Sequence, residues 1–330
     1  MSLSDQLSRV DRFQQRHRRV SFLAAVIKKF GDDQAGQLAA LISYYAFVSI
    51  FPLLLVFVSV LGFVIHGDPV QQQKVLNGTL GQVPLLSNLI TASHGKLNGS
   101  SAALGIGTVT AVLGGLGVTN AAQNAFNQIW HVPYKQRPDF LKARLRGLGL
   151  LVILGTLVIA STAAAGFATA ATHGPLAEVG SIALALVFNL MLFATAFKLL
   201  TAADVALRDL TPGIVTAAIG WQIVQHLGGL WARKFQHEAA AYGTVTLVLS
   251  LLALLYLGAQ ITIFAAEINV VRLRRLWPRS LFSPPLTDAD KRALTGSAET
   301  EERVHEENVE VSFDSDGGSD ASRSPAADGR

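Results

Sequence analysis

Eight histidines and 23 acidic side chains carry the strongest chemistry in this chain, and cysteine is absent. Hydrolytic metal sites need closely spaced His, Asp or Glu ligands. The histidines at 17, 66, 94, 131, 173, 226, 237 and 305 are scattered, and no two stand four residues apart on a helix. Thiolate catalysis, disulfides and cysteine-held zinc are excluded by composition. No Gly-Lys-Ser/Thr stands behind a strand, so phosphate-loop and dinucleotide fingerprints fail as well. The chain is therefore expected to be no enzyme and to need no cofactor.

The remaining polar residues of interest are mostly uncharged and sit inside apolar runs. Tyr45, Ser49 and Pro52 share one helical face. Pro52 has no N–H, which strips the Val48 carbonyl of its helical partner. In lipid that carbonyl must find a hydroxyl, a water or a neighbouring helix. Asn120, Asn124 and Asn127 recur at i, i+4 and i+7, with Gln123 alongside. Gln222, Gln225 and His226 share a face further on, beside Trp221. Gln260 and Glu267 stand two turns apart. Each group has a bland reading: a satisfied kink, interhelical amide bonds, a headgroup-reaching histidine, and an ion pair from Glu267 to Arg272, Arg274 or Arg275. The sharper reading has these faces converge on one intramembrane cavity.

The elements that must position them are long and apolar. Half of the 330 residues are hydrophobic and 15% are charged, where soluble chains carry about 25%. Gln34–Ile65 contains no Asp, Glu, Lys, Arg or His, and a bilayer core needs only about 20 apolar residues of helix. Six such runs are expected as spans, at about 38–65, 102–126, 147–171, 179–197, 211–231 and 243–268, within a single domain over 38–285. Glycines 105, 107, 114, 115 and 117 crowd the second run and read as close helix packing. Lys and Arg in alternate connecting segments number eighteen against four. The excess marks the cytoplasmic side and places both termini there. Trp130, Trp231 and Trp277 fall at run ends, where an indole suits the headgroups.

The flanks differ in character. Residues 1–37 are basic, with Val20, Leu23, Val26, Ile27 and Phe30 at helical spacing, the pattern of an amphipathic helix on a membrane surface. Residues 286–330 hold twelve acids and five bases with few large apolar side chains. Such a tail is expected to be disordered, because it cannot bury enough surface to offset ordering entropy. The rest of the chain is basic, but its bases lie beside apolar runs, so membrane lipids rather than nucleic acid are the expected partner. The loop at 67–100 carries spaced leucines and is expected to cap the outer face as short helices.

Three strings carry a family likeness: DDQAGQLAALISYYAFVSIFPLLLVFVSVLG from Asp32, AAQNAFNQIWHVPYKQRP over Ala121–Pro138, and LTPGIVTAAIGWQIVQHLGGLWARKF from Leu210 with AYGTVTLVLSLLALLYLGAQITIFAAEINVVR over Ala241–Arg272. In this order the chain resembles the YihY/BrkB family of bacterial inner-membrane proteins over roughly residues 20–280. The resemblance implies an all-α polytopic protein of the cytoplasmic membrane with six transmembrane helices. The family has been labelled ribonuclease BN and virulence factor, and the residues above give the nuclease label no support. A transporter- or flippase-like protein with a lipid or small-solute substrate is the leading expectation. A structural or assembly protein acting through partners is the alternative.

Overall fold

The computed structural model describes residues 11–64, 101–171, 175–238, 243–282 and 285–313, and every regular element among them is helical. A helical lead-in over 11–16 precedes α1 (Arg18–Asp32). Then come α2 (Ala35–Val64), α3 (Ser101–Ile129), α4 (Phe140–Ala171), α5 (Pro175–Leu200), α6 (Leu207–Glu238), α7 (Gly243–Leu273) and α8 (Asp288–Glu299). Helices α2 to α7 cover the six expected runs. Among the described residues four segments are long and apolar enough to cross a membrane: Ala35–Val56, Leu104–Ile129, Ile182–Leu200 and Val248–Leu273. The loop expected to cap the outer face lies outside the described residues, and so does the side chain of His226.

Glycine brings α2 and α3 together. A Cβ at Gly114 would stand 2.7 Å from Ser49 Oγ, and one at Gly117 2.7 Å from the Tyr45 ring. The expected small-residue packing is thus the α2–α3 seam, where absence of a side chain lets van der Waals contact form. At α6–α7 the approach is closer still. A Cβ on Gly213 would lie 2.3 Å from the Ala265 carbonyl and from Asn269 Nδ2. The Asn269 amide oxygen accepts from the Gly213 N–H at 2.8 Å, beside Pro212, where the helical ladder is already interrupted.

Burial concentrates at one end of the bundle. Phe126, Ile129 and Trp130 of the α3 terminus meet Phe193 and Phe197 of α5, and Val270 and Val271 of α7 are fully buried. The same end gathers the start of α2, the start of α6, α1 and α8. Both described chain ends lie there: Asp11 accepts from the Leu281 N–H at 3.0 Å, and Lys291 lies over the Phe313 ring.

At the flanks, α1 divides its apolar residues between the bundle and the exterior, and the expectation of a wholly disordered tail is corrected. The bundle-facing stripe of α1 is Ser21, Ala25, Val26 and Lys29, while Val20, Leu23 and Ile27 point away and are exposed. Residues 286–330 are not disordered throughout. Thr287 and Asp290 form a reciprocal capping box that starts α8, so two of its orphan N–H groups are satisfied. Asp290 then accepts from Lys28 (2.9 Å), Arg279 (2.8 Å) and the Ser280 N–H (2.9 Å). Composition missed this because α8 is held by charge and capping rather than by apolar bulk.

Candidate functional site

The first site is a cluster of buried charge. Lys29 is 1% exposed, yet it sits in the last turn of α1, a helix whose other basic residues are mostly exposed. Its ammonium donates to Asp33, to the Ile129 carbonyl at 2.9 Å, and pairs with Glu267 Oε2 at 3.1 Å. Three oxygens from three elements thus surround one cation. Glu267 is fully buried in α7, and neither of its oxygens takes a hydrogen bond beyond this ion pair. The expected pairing of Glu267 with a neighbouring arginine does not occur. Arg272 turns to the Asp209 carbonyl and Arg274 to the Trp130 carbonyl, since each lies more than one turn beyond Glu267 and leaves the bundle.

His131 closes the cluster from the loop after α3. Its Nε2 stands 3.5 Å from Asp33 Oδ1. Burial, reinforced by the positive charges of Lys29 and Arg274, keeps the imidazole below its ordinary pKa against the pull of Asp33. Burial would raise Asp33, but the His131 hydrogen bond and the Lys29 charge outweigh it and hold the carboxyl low. The backbone of His131 is left-handed, with φ at 49°, and the Val132 N–H returns to the Asn127 carbonyl at 2.9 Å. That is a helix-ending turn in which glycine is the usual residue. A histidine there carries a steric cost of about 1–2 kcal/mol, and its pairing with Asp33 gives the side chain a use. On its other side a Cβ at Gly296 of α8 would lie 2.5 Å from His131 Nδ1. The C-terminal helix therefore seats directly on the cluster.

The second site is a cavity of about 470 Å³ at mid-depth, built from α2, α4, α5, α6 and α7. Its lining is mainly apolar, with Phe188, Phe193 and Leu255 among the walls and Ser43, Asn189, Gln225 and Thr262 as the polar side chains. Counting about 1.5 Å per residue from Asp33, Lys198, Asp209 and Glu267, these side chains lie roughly 8–24 Å in, spread through a hydrocarbon layer about 30 Å thick. Asn189 donates to Gln222 Oε1 at 2.9 Å, which joins α5 to α6 beside the cavity. Among the described residues no charged side chain lines it.

The expected convergence of polar faces on one void is not what the bundle does. Gln225 lines the cavity and Gln222 reaches it through Asn189. Tyr45, Ser49 and Pro52 turn to the α3 side, where Pro52 and Val48 border a separate apolar groove with Leu113 and Gly114. Ser49 Oγ donates to the Tyr45 carbonyl at 2.7 Å, not to that of Val48. Asn120 and Asn124 are exposed. Asn127 is buried and structural, its Oδ1 accepting from the Ala202 N–H at 2.9 Å beyond α5. Gln260 is half-buried on α7, outside the cavity lining. The reason is rotational. A proline and a glycine-rich neighbour turn the Tyr45 face toward α3, so helices in phase by sequence are out of phase in space. Ser43, Asn189 and Thr262 were missed because single hydroxyls and a lone amide in an apolar run carry no periodic signal.

Comparison with known proteins follows the same geography. The family model for virulence factor BrkB matches residues 26–284, from the buried turn of α1 to just short of α8. The ribonuclease-like protein YfkH of Bacillus subtilis (strain 168) is 23% identical over 273 residues, covering 78% of this chain and 96% of the relative. A UPF0761 membrane protein of Stenotrophomonas maltophilia (strain K279a), Smlt0865, is 26% identical over 269 residues. There the match covers 79% of this chain and 62% of the longer relative. The inner membrane protein YhjD of Escherichia coli (strain K12) is 24% identical over 276 residues, covering 76% and 81%. No solved structure matches the chain. Apolar helices of spanning length, and a family model that covers the whole bundle, make this chain a membrane protein of the BrkB family.

Proposed function

We propose that this chain is a six-span protein of the bacterial cytoplasmic membrane, with both termini cytoplasmic, that carries the polar end of an amphiphile through the mid-depth cavity. The observation that carries the reading is the cavity itself. Five helices leave about 470 Å³ between them along their apolar lengths, within the 300–1,000 Å³ typical of ligand sites. Polar groups at that depth are costly and so mark function by default. Topology is supported by the lysine and arginine bias and by the two described chain ends meeting at one end of the bundle.

In this reading membrane lipids are the partner and substrate pool, nucleic acid is not a partner, and the protein is not an enzyme. The ribonuclease-like name of YfkH is not carried over. Among the described residues no group of three His, Cys, Asp or Glu stands ready to hold a metal, and the buried acids are paired with cations: Glu267 with Lys29, Asp290 with Lys28 and Arg279, and Glu302 with Lys135.

The test is reconstitution of the full chain into vesicles bearing a trace of fluorescently tagged lipid, with a membrane-impermeant quencher added outside. Protein-free vesicles lose about the half of the signal that faces out. The reading expects the remainder to fall as well, at a rate that rises with protein dose. Traces that match protein-free vesicles at every dose would overturn it.

A further inference from the structure

We infer that the cavity selects an uncharged, hydroxyl-rich headgroup on a lipid and turns away phosphate-bearing ones. This rests on the reading above and sharpens it.

The protons of the lining set what it can bind. Ser43 Oγ donates to the Ala40 carbonyl at 2.8 Å, and Thr262 Oγ1 to the Gly258 carbonyl at 2.8 Å. The Asn189 amide nitrogen donates to Gln222 at 2.9 Å. A hydroxyl has one proton and two lone pairs, and an amide oxygen only accepts. With their single protons committed within the protein, Ser43 and Thr262 offer acceptors, while Asn189 keeps one N–H beside its carbonyl oxygen and Gln225 adds an amide that serves either way. A ligand that both donates and accepts, as sugar or glycerol hydroxyls do, satisfies such a lining.

Charge gives the same answer. Among the described residues the lining holds no lysine, arginine, histidine, aspartate or glutamate. A phosphate brought there would lose its water and find no cation among them, which is costly within a membrane. The buried ammonium at the bundle end is already engaged. Lys29 is held by Asp33, Glu267 and the Ile129 carbonyl. A cationic headgroup fares no better, since no carboxylate lines the cavity among the described residues. The apolar majority of the wall suits the glycerol backbone and first methylenes of a lipid more than a free sugar.

The test uses three acyl-tagged tracers in phosphatidylcholine vesicles containing the full-length protein: glucosyl-diacylglycerol, phosphatidylglycerol and phosphatidylcholine. The glucosyl tracer should cross at least about tenfold faster than phosphatidylglycerol, a modest difference in free-energy terms. The S43A/T262V double variant should slow the glucosyl tracer several-fold and leave the others unchanged. If that variant fails to fold, Gln225→Leu makes the same comparison. Phosphatidylglycerol crossing as fast as the glucosyl tracer would overturn the selectivity while leaving protein-mediated crossing intact. Protein-dependent leak of trapped glucose at a comparable rate would overturn the assignment to lipid. No tracer exceeding the protein-free rate would remove the parent reading and this one with it.

Discussion

The buried cluster at the bundle end and the cavity at mid-depth handle polarity in opposite ways. The cluster puts full charges where protein replaces water and lets each charge satisfy another: Lys29 between Asp33 and Glu267, with His131 kept neutral at the edge. The described lining of the cavity uses only dipoles, with Ser43 and Thr262 donating to their own helices and Asn189 to Gln222. Charge is affordable in the first because the Asp33 turn, α3 and α7 converge on the ammonium of α1. In the second any charge would stand alone in a low dielectric. The difference separates a device that fixes the fold from a surface that can exchange partners.

The sharpest way to break the comparison is Lys29→Met. It leaves the buried Glu267 without its cation and Asp33 with only His131 facing it, and should destabilise by about 3–5 kcal/mol. Loss of the monodisperse peak in detergent size exclusion would show it, and K29M combined with E267Q should recover part of the loss. An unchanged melting temperature in K29M would mean the cluster is ornamental. Gly213→Ala comes next, because its new Cβ would press on the Ala265 carbonyl. Overpacking of this kind costs about 1–3 kcal/mol, readable as a lower detergent melting temperature. Asp290→Asn removes the carboxylate shared by Lys28, Arg279 and Ser280 and should cost about 1–3 kcal/mol. Its readout is limited proteolysis, with faster cleavage around α8 while the bundle survives.

The pH response sharpens the cluster further. His131 has its pKa held down by burial and by Lys29 and Arg274, so the unfolded chain takes up the proton first as pH falls through about 6.5. Stability from this group is therefore complete above that value and lost as pH drops through the lower folded pKa. Melting temperature should fall between pH 7.5 and 5.5 in the native chain, and H131Q should flatten that limb. The smallest effect on stability is expected at the cavity. Ser43→Ala should change the melting temperature little, because only one hydroxyl donating to its own helix is lost. A large drop there would make the cavity part of the scaffold.

The helices were legible and the contacts were not. Uncharged runs such as Gln34–Ile65 identify α2 to α7 because length and apolarity are local properties. The glycines of α3 announced a close seam, though not that α2 fills it. Lys29 reads as one more base in a basic segment, and only the packing of α1 onto α7 shows it to be the most deeply engaged charge. Thr287 and Asp290 did carry a local signal for α8, a capping residue with an acid three positions on, which the acidic composition around it masked. The asparagine stripe at 120, 124 and 127 was visible, but its members part company in space: two are exposed and one caps the end of α5.

By itself the sequence determined the solvent in which this protein folds, the helical class and the uneven distribution of basic residues, because hydropathy and charge act through each residue's own transfer energy. Tertiary structure alone decided which polar groups share a void and which acid meets Lys29. Those outcomes depend on helix rotation and on approach distances set by Gly114, Gly117 and Gly213, and a shift of one residue in phase turns a face by about 100°.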